Sequence, residues 1–154
     1  MGYKDYSQDL TEAVYDLISG ISADVFIHQA TETPSDPYVI IRPESGSGSP
    51  KNHSAFFSSF VIAVEVVKRF DVTVNSIEVN QLAGEISELL MPTPNSFGIT
   101  TTANHQVTDI SLQSSNTIPD IDGDTKYMTR IDRYEFLINT FLSITVKWIS
   151  NFHL

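Results

Sequence analysis

The sequence predicts an α+β fold, a mixed or antiparallel sheet with two main helices packed on one face and long loops between elements. Three observations predict it. Residues 56–70 alternate as a strand does: Phe60, Ile62, Val64 and Val66 fall on one face, and Val61, Ala63, Glu65 and Val67 on the other. Two stretches, opening at Leu10 and at Val79, repeat apolar residues at three- and four-residue steps, the mark of a helix with one buried stripe. Near the end, Tyr134, Phe136, Ile138, Leu142, Ile144, Val146 and Trp148 share parity, as one long strand or two in register facing one core. The resulting order is helix, two strands, central strand, helix and two or three strands, which packs as a layer of helices on a sheet.

In chain order, Asp9 with Glu12 has the form of a capping box, and Leu10, Ala13, Val14, Leu17, Ile18 and Ile21 follow with helical period until Gly20 ends the element. Residues 24–29 and 38–42 read as short strands, separated by a 31–37 loop whose Pro34 and Pro37 have no place in a central ladder. Residues 45–54, Ser-Gly-Ser-Gly-Ser-Pro-Lys-Asn-His-Ser, carry no hydrophobic anchor and read as a mobile loop. After the central strand, Asn75 with Glu78 suggests a second capping box. Val79, Leu82, Ala83, Ile86, Leu89 and Leu90 form the buried stripe of that helix, which Pro92 closes. Residues 92–104 are polar and irregular, 106–114 form a strand, and 114–124 read as a turn-rich connection.

A chain of 154 residues is one domain, 1–154, long enough to bury a core without staples. Hydrophobic residues at 41% and charged residues at 18% suit a folded domain rather than a disordered one. The formal charge of −10, with nine scattered basic residues, argues against a grip on nucleic acid, because holding phosphates requires clustered Lys and Arg. The absence of cysteine excludes disulfides and thiolate metal sites. The first residues lack an apolar signal core, and Tyr6 stands where a myristoylation signal needs Ser or Thr. No stretch is expected to span a membrane, since the most apolar one, 136–149, is broken by Asn139, Thr140, Ser143, Thr145 and Lys147.

No catalytic, cofactor-binding or metal-binding residue can be singled out. Asp120, Asp122 and Asp124 around Gly123 resemble a calcium loop, but the glycine is misplaced and Ile131 stands where the bidentate Glu belongs, so a type I′ or related hairpin turn is the better reading. His28, His53, His105 and His153 have no ligand spacing; His28 is expected in a strand and the others in loops or the tail. The Ser-Gly repeat is followed by neither Gly-Lys-Ser/Thr nor a helix, which excludes a P-loop or dinucleotide fingerprint. Lys68, Arg69, Arg130 and Arg133 are expected to pair with surrounding acids. What remains is surface suited to contact, and the candidate interface is placed at Ser45, Gly46, Ser47, Gly48, Ser49, Lys51, Asn52, Thr93, Asn95 and Phe97.

The order of features resembles the tail-completion, or tail-terminator, family of long-tailed bacteriophages and prophages. The resemblance rests on the opening helix from Leu10 and on Pro37 leading into Tyr38, Val39, Ile40 and Ile41. It continues in the strand around Phe60 to which the 76–90 helix is joined, the turn at Asp122 and Gly123, and a last strand bearing Arg130, Arg133, Tyr134 and Phe136. It covers roughly residues 10–138. Two departures are the longer 45–54 tract and residues 140–154, which continue past the usual last strand and have the place of a partner-specific extension. The resemblance implies a non-enzymatic virion protein without cofactors, assembled in the host cytoplasm. Such a protein forms a ring, usually a homo-hexamer, that caps the tail tube protein, stops its polymerisation and meets the head connector or neck protein. DNA would slide through its bore without specific binding, helped by an acidic wall. The alternatives are another neck adaptor or a contractile-injection-machine subunit and, after these, a small-molecule-binding α+β domain.

Overall fold

The structure, a computed structural model, describes residues 7–49, 57–70, 74–102 and 105–139. Its elements are α1 (Ser7–Ile18), β1 (Asp24–Ile27), β2 (Tyr38–Ser49), β3 (Phe57–Phe70), α2 (Ile77–Leu90), β4 (Gln106–Asp122) and β5 (Thr125–Asn139). The five strands form one sheet in the order β1-β2-β3-β5-β4, with β1 and β2 parallel and every other pair antiparallel. This is the α+β class expected, with the strand around Phe60 at the centre.

One core lies between the helices and one sheet face. Leu10, Val14 and Ile18 of α1, and Val79, Leu82, Ala83, Ile86 and Leu90 of α2, pack on Val39, Ile41, Phe60, Ile62, Val64, Val66, Tyr134, Phe136 and Ile138. Most of both helical stripes predicted from periodicity is therefore buried; Ala13 and Leu17 are partly buried, Leu89 lies at the margin, and Ile21 lies past the end of α1. After α2 the chain doubles back against its own helix. A Cβ on Gly98 would stand 1.9 Å from the Leu89 carbonyl oxygen, so only glycine fits this close approach.

Several sequence expectations are corrected. Ser45–Ser49 are strand, not loop: β2 continues beside β3 until Ser49 faces Phe57, with a bulge between Pro43 and Ser45. The pairing is made by backbone, and Ser and Gly carry no hydrophobic alternation from which it could be read. Positions 50–54 of the same tract lie outside the described residues. Residues 114–122 are likewise strand, because β4 follows β5 to a two-residue turn at Gly123 and Asp124. Their side chains are mostly exposed, so no buried face marked them as strand. Pro119 is tolerated because β4 is an edge strand with only β5 beside it. Gly123 takes φ +61° while Asp124 stays out of the positive-φ region, which suits the II′ relative of the expected I′ turn.

Neither capping box forms. Helix α1 already begins at Ser7, so Asp9 lies in its first turn, and Thr11 Oγ1 donates to the Ser7 carbonyl. At α2, Asn75 Oδ1 accepts from the Ile77 N–H, while Glu78 is turned toward Lys68 at 3.4 Å. Strand β1 stops at Ile27, leaving His28 outside it at φ +67°.

Burial and charge make two aspects of this core measurable. Ile62 is fully buried on the central strand, so Ile62→Ala should cost about 2–5 kcal/mol, whereas Ile121→Ala at an exposed site should stay within about 0.5 kcal/mol, both read from urea unfolding midpoints. Burial pushes the Tyr134 hydroxyl above its ordinary value; the Asp132 charge adds to this, and Ser87 and Arg130 work against it. A tyrosine that holds its proton more tightly when folded stabilises the fold fully below the unfolded pKa near 10, and that contribution is lost as pH rises beyond it. The unfolding midpoint should therefore fall between about pH 9 and about pH 11, and Tyr134→Phe should fall less steeply over the same window.

Candidate functional site

Among the described residues no helix or strand lies over the sheet face opposite the helices. Side-chain alternation assigns it Tyr38, Ile40, Arg42, Val61, Ala63, Glu65, Val67, Ile131, Arg133 and Glu135. Register places Arg42, Ala63 and Arg133 in one row and Ile40, Glu65 and Ile131 in the next. Arg42 Nε reaches Glu65 at 3.1 Å, and Arg133 Nε reaches Glu44 at 2.9 Å, so both arginines of the row are neutralised. These partly exposed pairs add little to stability, but they fix four charges of alternating sign on a face where Ile40, Val61, Ala63 and Val67 are buried. A partner with the complementary pattern would be recognised by register, and one with like charges would be repelled.

At one end of β3 the 31–37 loop is tied down. Asp36 accepts from the Arg69 N–H at 3.0 Å and from Lys68 Nζ at 3.1 Å, and Asp24 and Ser35 exchange two hydrogen bonds of 2.9 Å. For Lys68, burial lowers its affinity for the proton, but Asp36 and Glu78 outweigh this and raise its pKa. On the helix side, Asn80, Arg130, Asp132 and Ser115 form a chain of hydrogen bonds linking α2 through β5 to β4. Lys68, Arg130 and Arg133 are thus engaged with acids, as their surroundings in the sequence suggested.

The predicted interface residues separate into two groups. Ser45, Gly46, Ser47, Gly48 and Ser49 occupy the last part of β2 and offer a backbone edge rather than a loop surface, while Lys51 and Asn52 lie outside the described residues. Thr93, Asn95 and Phe97 sit in the α2–β4 connection. Thr93 bridges to Ser96, and Asn95 turns the chain at φ +63°; both are exposed. Phe97 instead packs against the core and anchors the connection from below. The first group belongs to the sheet and the second to the helix layer. Sequence reasoning missed the ionic face because its four charges come from three strands, and only strand register brings them together.

Of the histidines, His105 is buried, with Nδ1 3.6 Å from Asp9 Oδ2 of α1; His53 and His153 lie outside the described residues. Among the described residues no three His, Cys, Asp or Glu side chains are grouped to hold a metal ion. No described helix is long and apolar enough to cross a membrane. A groove between the C-terminal ends of the two helices is lined by Leu17, Ile21, Ser22, Glu85, Glu88 and Leu89.

No protein-family profile matches the sequence, and no curated protein matches it. Among solved structures, a chain described as part of the virion of the native gene transfer agent particle shares the fold. The match covers 88% of this chain and 99% of that one, with a TM-score of 0.64 at 11% sequence identity. A second solved chain, 14% identical and matched over 84% of this chain and 91% of its own, reaches a TM-score of 0.49, too low to bear on the fold. At 11% identity the first likeness is one of fold: the whole of a virion chain is built on the same arrangement of helices and sheet.

Proposed function

We propose that this chain is a non-enzymatic structural protein of a phage-type virion and, within that class, a tail terminator. It forms a ring on the end of the tail tube, stops tube polymerisation and joins the tail to the head connector. The observation that carries this reading is the fold shared with 99% of a gene transfer agent virion chain. The surfaces are compatible with it. A ring needs a heterologous interface whose rotation closes, which in turn needs two different surfaces on one subunit. The ionic sheet face and the helix layer supply surfaces of different chemistry, and the exposed turn at Thr93 and Asn95 is assigned to an axial neighbour. The formal charge of −10 suits a bore through which DNA passes without adhering.

Light scattering across a concentration series, with negative-stain images of the same samples, tests the ring. Closed rings are expected, alone or on the ends of polymerising tube protein, and tubes grown in the presence of the chain should stop lengthening. A protein that forms no ring and leaves tube length unchanged would exclude the terminator role.

A further inference from the structure

The sheet has two outer edges, and they differ in how open they are to another strand. Along β4, bulges fall between Val107 and Asp109 and between Leu112 and Ser114, Pro119 interrupts the strand, and Asp109, Asp120 and Asp122 add charge. Bulges, proline and charge are the devices that prevent edge-to-edge pairing. The other edge is different. Strand β1 covers β2 only from Tyr38 to Ile41, and past that point no described strand lies on the outer side of β2. Its continuation, Ser45 to Ser49, is held in extended form by β3 on one side and carries only serine and glycine. The result is a regular backbone edge with little side-chain bulk to obstruct a further strand.

A strand of suitable character follows β5. Ser49, Phe57 and Asn139 stand in one row across the sheet, so β5 leaves the body at the end where this free edge lies. Residues 140–154 lie outside the described residues, but their sequence continues the β5 pattern: Leu142, Ile144, Val146 and Trp148 keep the parity of Tyr134, Phe136 and Ile138. The segment contains neither glycine nor proline, and Ser150 with Asn151 is its first pair of turn-forming residues. Ten residues in extended form at about 3.3 Å each would reach roughly 33 Å, long enough to meet a second copy.

We propose that residues 142–148 of one copy add as a strand to the Ser45–Ser49 edge of β2 in a second copy, a head-to-tail exchange that rests on the ring reading above. Backbone hydrogen bonds would supply the attachment, and the apolar side chains of the arm would pack against the recipient. Each subunit then has one arm and one receiving edge, the two unlike surfaces that a heterologous interface needs.

Hydrogen exchange of the full-length protein, followed by mass spectrometry across the concentration range of assembly, tests this, with emission from Trp148, the single tryptophan, as a second reporter. On assembly the 46–49 amides should exchange at least about tenfold more slowly, and Trp148 emission should shift to the blue. The Ile144→Asp/Val146→Asp variant, unchanged in far-ultraviolet circular dichroism, should show neither effect. Rings that form without protection at 46–49 would overturn the arm exchange and leave the ring reading standing. Concentration-dependent protection in open chains would support the exchange and remove the ring. Protection independent of concentration would assign the edge to the chain's own arm and overturn exchange between copies.

Discussion

Strand β3 is bonded along its length to β5 and along most of it to β2, and this double pairing is the constraint on which the rest of the structure depends. With both backbone edges occupied, only its two faces remain, and each must be covered or made compatible with water. The even residues from Phe60 to Val66 are too apolar to face solvent, so they recruit the two helices, most of whose stripes are buried against them. The odd residues receive no helix. There Val61, Ala63 and Val67 are buried beside Glu65, and the neighbouring strands contribute Arg42, Glu44 and Arg133 to two ion pairs. One strand therefore divides the molecule into a helix-covered core and a second face on which buried apolar residues stand beside ion pairs.

The legible parts of the fold are those where burial leaves a periodic trace. Val79, Leu82, Ala83 and Ile86 disclosed α2 because one stripe of the helix is dry, and Phe60, Ile62, Val64 and Val66 disclosed β3 for the same reason at period two. Where a strand carries few apolar residues, the trace disappears. Ser45–Ser49 and the far half of β4 are strands by backbone pairing alone, and their polar sequences looked like loops. The expected interface suffered from the same gap: its serine and glycine positions were found, but as an edge rather than a loop, and Phe97 proved to be an anchor. The helix starts failed for a local reason, since Asp9 and Glu78 have the right spacing for capping boxes but α1 begins earlier and Glu78 is drawn to Lys68.

Fold and function stand at different distances from the sequence here. A sheet carrying two helices on one face can be shared at 11% identity because it requires only apolar residues of the right period at the core positions. The surfaces are free to change, and they hold whatever is particular to this chain: the alternating ion pairs, the β2 edge that no described strand covers and the exposed turn at Asn95. The shared fold is therefore common ground, and the proposed role depends on surfaces that can be tested one by one.

The most direct test of that role is to locate the chain in particles made by its own host. Gold-labelled antibody against an epitope tag at the first residue, viewed by electron microscopy, should mark one position per particle, at the junction of head and tail, and particles lacking the chain should carry tails of uncontrolled length. Purified, fully active particles from which the chain is absent would contradict the account.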